Sequence, residues 1–139
     1  MEQEDYIKRQ IDQLGYVLGK ILSDLLGLKT QGRLNDGMGM VSPIFKKELD
    51  MNLEELISIP ADVFIQTLTG NNKLNNDSLN CLAEILFFLS ENPDKSQQND
   101  DIVMELKRKA LVIYEYVDET SSTYSYDQHL IMKQIRNTI

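Results

Sequence analysis

Between Asp5 and Leu28 the apolar side chains fall at Ile7, Ile11, Leu14, Leu18, Ile21, Leu25 and Leu28, a strict alternation of four- and three-residue steps. That spacing predicts a helix over the whole segment. Val17, Leu22 and Leu26 flank the stripe on both sides and widen the apolar arc to about half the circumference, enough to meet more than one neighbour. Gly15 and Gly19, one turn apart at the edge of the arc, each cost about 1 kcal/mol relative to alanine inside a helix. They form a notch into which another helix backbone could come close. From Thr30 to Leu49 helical spacing continues through Leu34, Met38, Val41, Phe45 and Leu49, but Gly37, Gly39 and Pro43 oppose it. One kinked helix or two short ones satisfy both signals, with Ser42 as a cap and Pro43 as a first helical residue.

The second half of the chain is punctuated more sharply. Asn52 followed by Glu55 has the layout of a capping box for a short turn over Leu53–Ile57, and Pro60 opens a helix through Leu68 with Gly70 as a left-handed stop. Asn75 or Asn76 caps a helix to about Glu91 that carries Leu79, Leu82, Leu86 and Leu89 together with Ile85, Phe87 and Phe88, and Pro93 ends it. Residues 92–99 contain no apolar side chain and are expected to be a flexible loop. Asp100 and Asp101 suit the start of a helix to about Glu119 with a stripe of Val103, Leu106, Ala110, Ile113/Tyr114 and Val117. Thr120 to Thr123 reads as a polar turn. A last helix from about Ser125 carries Leu130, Ile131, Ile135 and Ile139, with Lys133 and Arg136 near its negative end. No stretch sustains strand-type alternation. The expectation is an all-α class, six to seven antiparallel helices in a single domain spanning residues 1–139.

Composition removes functions more than it selects them. For 16.0 kDa, size scaling gives a folded surface of roughly 7,400 Å² against about 23,000 Å² unfolded, so a core can form without staples. One cysteine and one histidine in 139 residues leave no disulfide framework and too few soft ligands for a typical zinc site. The net charge is −8, shared evenly, since residues 1–70 and 71–139 each hold 11 acids and 7 bases. An evenly acidic chain is repelled by polyanions, so nucleic acid and anionic membrane surfaces are not expected partners. The opening Met1-Glu2-Gln3-Glu4-Asp5 is acidic where a signal peptide would be basic, and the expected location is cytoplasmic.

Candidate chemistry is thin. Cys81 lies beside Leu79 and Leu82 on a strongly apolar helix, where burial raises a thiol pKa and makes it inert, and His129 follows Asp127 on the last helix as a surface or capping residue. The pairs Glu54/Glu55 and Asp100/Asp101 diverge by about 100° on a helix and both stand at helix starts, where negative charge is favourable without any catalytic role. Gly37-Met38-Gly39 follows no strand and lacks a third glycine. No catalytic, cofactor-binding or metal-binding residue is assigned, and no cofactor. Four of the six tyrosines, Tyr114, Tyr116, Tyr124 and Tyr126, fall near the C-terminus. Tyr114 is on the core stripe, whereas Tyr116, Tyr124 and Tyr126 are candidates for a partner surface, because tyrosine combines contact area with a polar tip.

A helix containing Leu82-Ala83 followed by Ala110-Leu111-Val112-Ile113-Tyr114 resembles a tetratricopeptide-type hairpin, with Ala83 and Ala110 at the close-packed positions and Tyr114 at the aromatic one. The departure is the connection, about a dozen residues where a standard repeat has a tight turn. Asp5-Tyr6-Ile7, Leu25-Leu26-Gly27-Leu28 and Thr123-Tyr124-Ser125-Tyr126 resemble a family of small uncharacterised bacterial proteins with such helices. The resemblance implies a right-handed helical array and carries no activity, ligand or catalytic residue. The functional expectation is a non-enzymatic interaction module for an unidentified protein or peptide. The alternatives are a homodimer through the first helix at Gly15 and Gly19, or an enzyme acting on a small metabolite.

Overall fold

The structure, a computed structural model, describes residues 16–27, 43–47, 51–71, 74–91, 100–121 and 126–139. The descriptions of residues 28–42, of the loop 92–99 and of Tyr124 therefore lie outside the described residues, as does Gly15. Within them the chain is helical without a strand, as the periodicity predicts. Residues 16–27 are α1 and 43–47 are α2. Then come α3 (Leu53–Ser58), α4 (Ala61–Gln66), a π-helical turn (Thr67–Asn71), α5 (Asn76–Glu91), α6 (Asp100–Thr120) and α7 (Tyr126–Thr138).

Local caps explain most boundaries. Asn52 Oδ1 accepts from the Glu55 amide at 2.8 Å and starts α3. The Glu55 carboxylate lies 3.8 Å from Lys46 Nζ, linking α3 to α2. Asn75 Oδ1 accepts from the Ser78 amide at 2.8 Å and starts α5, each cap satisfying a donor that the first helical turn leaves open. The expected left-handed stop at Gly70 is corrected: Gly70 sits inside the π-helical turn with no left-handed φ. Thr67 and Thr69 donate their hydroxyls to the carbonyls of Val63 and Ile65, both at 2.9 Å, and the Leu74 amide donates to the Leu68 carbonyl at 3.0 Å. These bonds continue the helical path in a wider turn while both Leu68 and Leu74 stay buried.

α6 is the hub, packing against α5 along much of its length and also against α3, α4 and α7. Polar pairs at the two ends of the α5–α6 seam define its direction. Asn76 Nδ2 donates to Thr120 Oγ1 at 3.1 Å, and Lys107 Nζ lies 3.9 Å from Glu91 Oε1. The beginning of one helix meets the end of the other, so the two are antiparallel, and this register brings Ala83 level with Tyr114 and Ala110 level with Phe87. A small side chain level with an aromatic one suits close helix packing. Both alanines are fully buried. Leu18, Ile21 and Leu25 of α1 and Phe45 of α2 join the same core cluster. Leu26, by contrast, is largely exposed, so the buried arc of α1 is narrower than its sequence suggests.

One charge lies in this core. Lys109 of α6 is 5% exposed. Its Nζ is 3.3 Å from Glu105 Oε2 one turn earlier and 5.5 Å from the centre of the Phe64 ring of α4, so a carboxylate and an aromatic face together replace the lost water. Arg108 Nη1 lies 2.8 Å from the other Glu105 oxygen. That hydrogen bond, with the one from Lys109, holds the Glu105 carboxyl below the usual carboxylate range against the opposing effect of burial. A lowered acid contributes stability that is complete above its unfolded value and is lost as pH falls through the folded one. Glu105→Gln should therefore destabilise by about 1–2 kcal/mol at neutral pH, less than a fully buried pair because Glu105 is a third exposed. Lys109→Met should be close to neutral; urea melts of the two variants check both signs, and equal losses would contradict the assignment.

Candidate functional site

Two places gather polar side chains, and they differ in kind. The first is at the middle of the α5–α6 seam. Cys81 and Glu84, three residues apart on α5, share a face, and the register puts Tyr114 of α6 at their level. The Tyr114 side chain is 1% exposed and its hydroxyl has no hydrogen-bond partner. Burial pushes its pKa far up, with the charges of Glu84 and Cys81 adding to the effect. Burial likewise raises the Cys81 thiol, reinforced by Glu84 and Asp77, and partial desolvation raises the Glu84 carboxyl. All three groups are pushed toward their neutral forms. A thiol acts as a nucleophile only as thiolate, and every resolved influence on Cys81 works against that form.

The second place is the outer side of the α6–α7 pair. His129 Nε2 lies 2.8 Å from Asp118 Oδ1, and Arg136 Nη2 lies 3.2 Å from Glu115 Oε1. The residue further along α7 pairs with the one earlier on α6, so these helices are antiparallel too. The two pairs fix how α7 is rotated. Met132 and Ile135 turn inward and are buried, Ile131 is partly buried, and Tyr126 and Leu130 turn outward, 65% and 48% exposed. Of the apolar residues expected on this helix, Leu130 and Ile139 are exposed, and Met132 takes a core position that the sequence pattern did not mark.

The sequence-predicted residues are distributed as follows. Tyr126 is on the open outer face, one turn before Leu130. Tyr116 is partly buried against the core. Gly19 has open space where a Cβ would stand, with no described residue of another helix within 4 Å of it. Cys81 and His129 stand on different helices, the thiol near Glu84 and Asp77 on α5 and the imidazole 2.8 Å from Asp118. Lys109 was missed, although its position three after Leu106 and four before Ile113 places it on the core stripe, a signal that a charge is buried there. The α6–α7 ion pairs carry no local signal, since their partners are 11 and 21 residues apart.

Among the described residues no three histidine, cysteine, aspartate or glutamate side chains come together to hold a metal ion, and no helix is long and apolar enough to cross a membrane. No protein-family model, curated protein or solved structure matches the chain. Its chemistry has to be read from its own residues.

Two outcomes follow from the seam. Tyr114→Phe removes an unsatisfied buried hydroxyl while keeping the ring, so it should leave stability unchanged or raise it by up to about 1 kcal/mol, measured by thermal or urea unfolding; a loss of 2 kcal/mol would show a partner for the hydroxyl. The Cys81 thiol should react with a disulfide reagent at pH 8 more slowly in the folded chain than in the urea-unfolded one, and equal rates would contradict its desolvation.

Proposed function

We propose that this chain is a non-enzymatic helical interaction module, cytoplasmic in location, that presents the outer face of α7 to a protein or peptide partner. The observation that carries this reading is the pair Tyr126 and Leu130. Their one-turn spacing makes a compact apolar patch on a helix whose opposite face is anchored in the core. Aromatic and aliphatic side chains presented side by side are typical of the anchors that dominate the energetics of protein recognition. The α5–α6 pair behind it supports a tetratricopeptide-like reading: antiparallel helices, with Ala83 and Ala110 fully buried and Tyr114 in the core. The array would serve as a rigid scaffold and α7 as its recognition element. The lack of convergent acid, base and nucleophile among the described residues favours this over catalysis on a small metabolite.

Self-association through α1 is the second reading, favoured by one specific observation. Gly19 has open space above it, and Leu26, two turns further on the same side, is largely exposed. A second copy could seat there.

The test is retention of native-extract proteins on the immobilised chain, compared with Tyr126→Ala, Leu130→Ala and, on the opposite end of the molecule's sequence, Tyr16→Ala. The first two should each weaken a specific partner by about tenfold or more, equivalent to roughly 1.4 kcal/mol. Tyr16→Ala, which removes another exposed ring, should not. Retention unaffected by the α7 changes in folded variants would overturn the reading, and light scattering that shows a dimer sensitive to Leu26→Lys would replace it with the second.

A further inference from the structure

We propose that α7 is a charge-operated latch, a helix held on the molecule by ion pairs to α6 and able to leave it while the α5–α6 pair stays folded. Its apolar attachment is small: Met132 and Ile135 are its buried side chains, and Ile131 is partly covered. Beside it, among the described residues, stand two polar side-chain pairs. His129 with Asp118 and Arg136 with Glu115 tie the two helices at 2.8 and 3.2 Å, with all four side chains about a third to a half exposed and therefore open to screening by salt.

The acids of these pairs stand where α6 gains nothing from them. The C-terminal end of a helix carries partial negative charge, which favours cations and disfavours carboxylates. α6 has no basic residue in its last turn, yet Asp118 and Glu119 lie there and Glu115 one turn before. What offsets them comes from α7: the Arg136 guanidinium beside Glu115 and the His129 ring in hydrogen-bond contact with Asp118. Asp118 thus weakens the end of α6 when α7 is away and holds α7 when it is docked, so the carboxylate biases one equilibrium, docked against released, more than it stabilises its own helix. The α5–α6 seam has one ion pair at its end, Lys107 with Glu91, and is otherwise held chiefly by buried apolar side chains such as Leu82, Leu86, Ala110 and Ile113, so its hold depends less on charge. Release bares Met132 and Ile135 on a helix whose other face already shows Tyr126 and Leu130, which leaves its centre apolar on both sides. The latch is independent of whether the outer face binds a partner: partner retention reads that face, and amide exchange reads docking.

Native-state hydrogen exchange of the full chain, at about 20 mM and about 500 mM sodium chloride, tests it together with Asp118→Asn. The slowest α7 amides should exchange about tenfold or more faster than the slowest α5 amides, as expected for a locally opening unit. They should speed up by roughly a further threefold in high salt and in Asp118→Asn, while α5 amides are unchanged and those near the end of α6 hold or slow. Exchange of α7 at the α5 rate, or failure of either response, would overturn the latch. Acceleration of α5 and α7 alike in Asp118→Asn would do so as well, because it would show a general stabilising role in place of a local one.

Discussion

The contact between α5 and α6 is the constraint on which the other helices depend. Isolated helices of 16 and 21 residues are marginal in water, and their stability comes from burying one face. Here each buries it chiefly on the other, in an antiparallel register fixed at one end by Asn76 and Thr120 and at the other by Lys107 and Glu91. Leu82, Leu86, Ala110 and Ile113 are buried in this arrangement. Because α6 also touches α3, α4 and α7, a slip of one residue in the seam would rotate every one of those contacts off its partner. The tolerance for such a slip is small: alanine at position 83 or 110 is level with an aromatic ring, and a larger side chain brought to either place would overpack the seam.

A second layer hangs on the first through a charge. α4 is only six residues long and could not persist alone. Phe64 supplies its anchor, fully buried and lying under the Lys109 ammonium of α6. A lysine so placed is costly unless partnered, and Glu105 from the same face of α6 completes the partnership. The arrangement selects against alternatives more than it adds stability, since a differently docked α4 would leave Lys109 buried without its ring. The wide turn at Thr67–Asn71 then lets the chain bury Leu68 before it reaches the Asn75 cap.

Where a signal is local, it was legible in the sequence. The caps at Asn52 and Asn75, and the near-complete span of α6, follow from side-chain chemistry within four residues of the boundary and from an apolar stripe with no competing face. Position 70 was misjudged because the choice between a left-handed stop and a wider turn is made by Leu68, Leu74 and the two threonine hydroxyls acting together, not by glycine. The inward side of α7 was not legible for a related reason. Leu130, Ile131, Met132, Ile135 and Ile139 surround that helix, so its periodicity admits more than one inward face. Arg136 and His129 decide between them by reaching Glu115 and Asp118 on another helix. The exposed pair at Tyr126 and Leu130 was half legible: the tyrosine was marked as a surface candidate, while Leu130 was placed on the helix without a side.

The isolation of the Tyr114 ring gives the molecule an optical property. The chain contains no tryptophan, so its near-ultraviolet signal belongs mainly to tyrosine. Tyr114 is locked in the seam while Tyr16 and Tyr126 are in water. A ring held rigidly in an asymmetric, dry environment produces near-ultraviolet circular dichroism that mobile surface rings do not. Burial also opposes loss of the Tyr114 phenolic proton. The integrity of the central helix pair is thus reported by a chromophore already built into it.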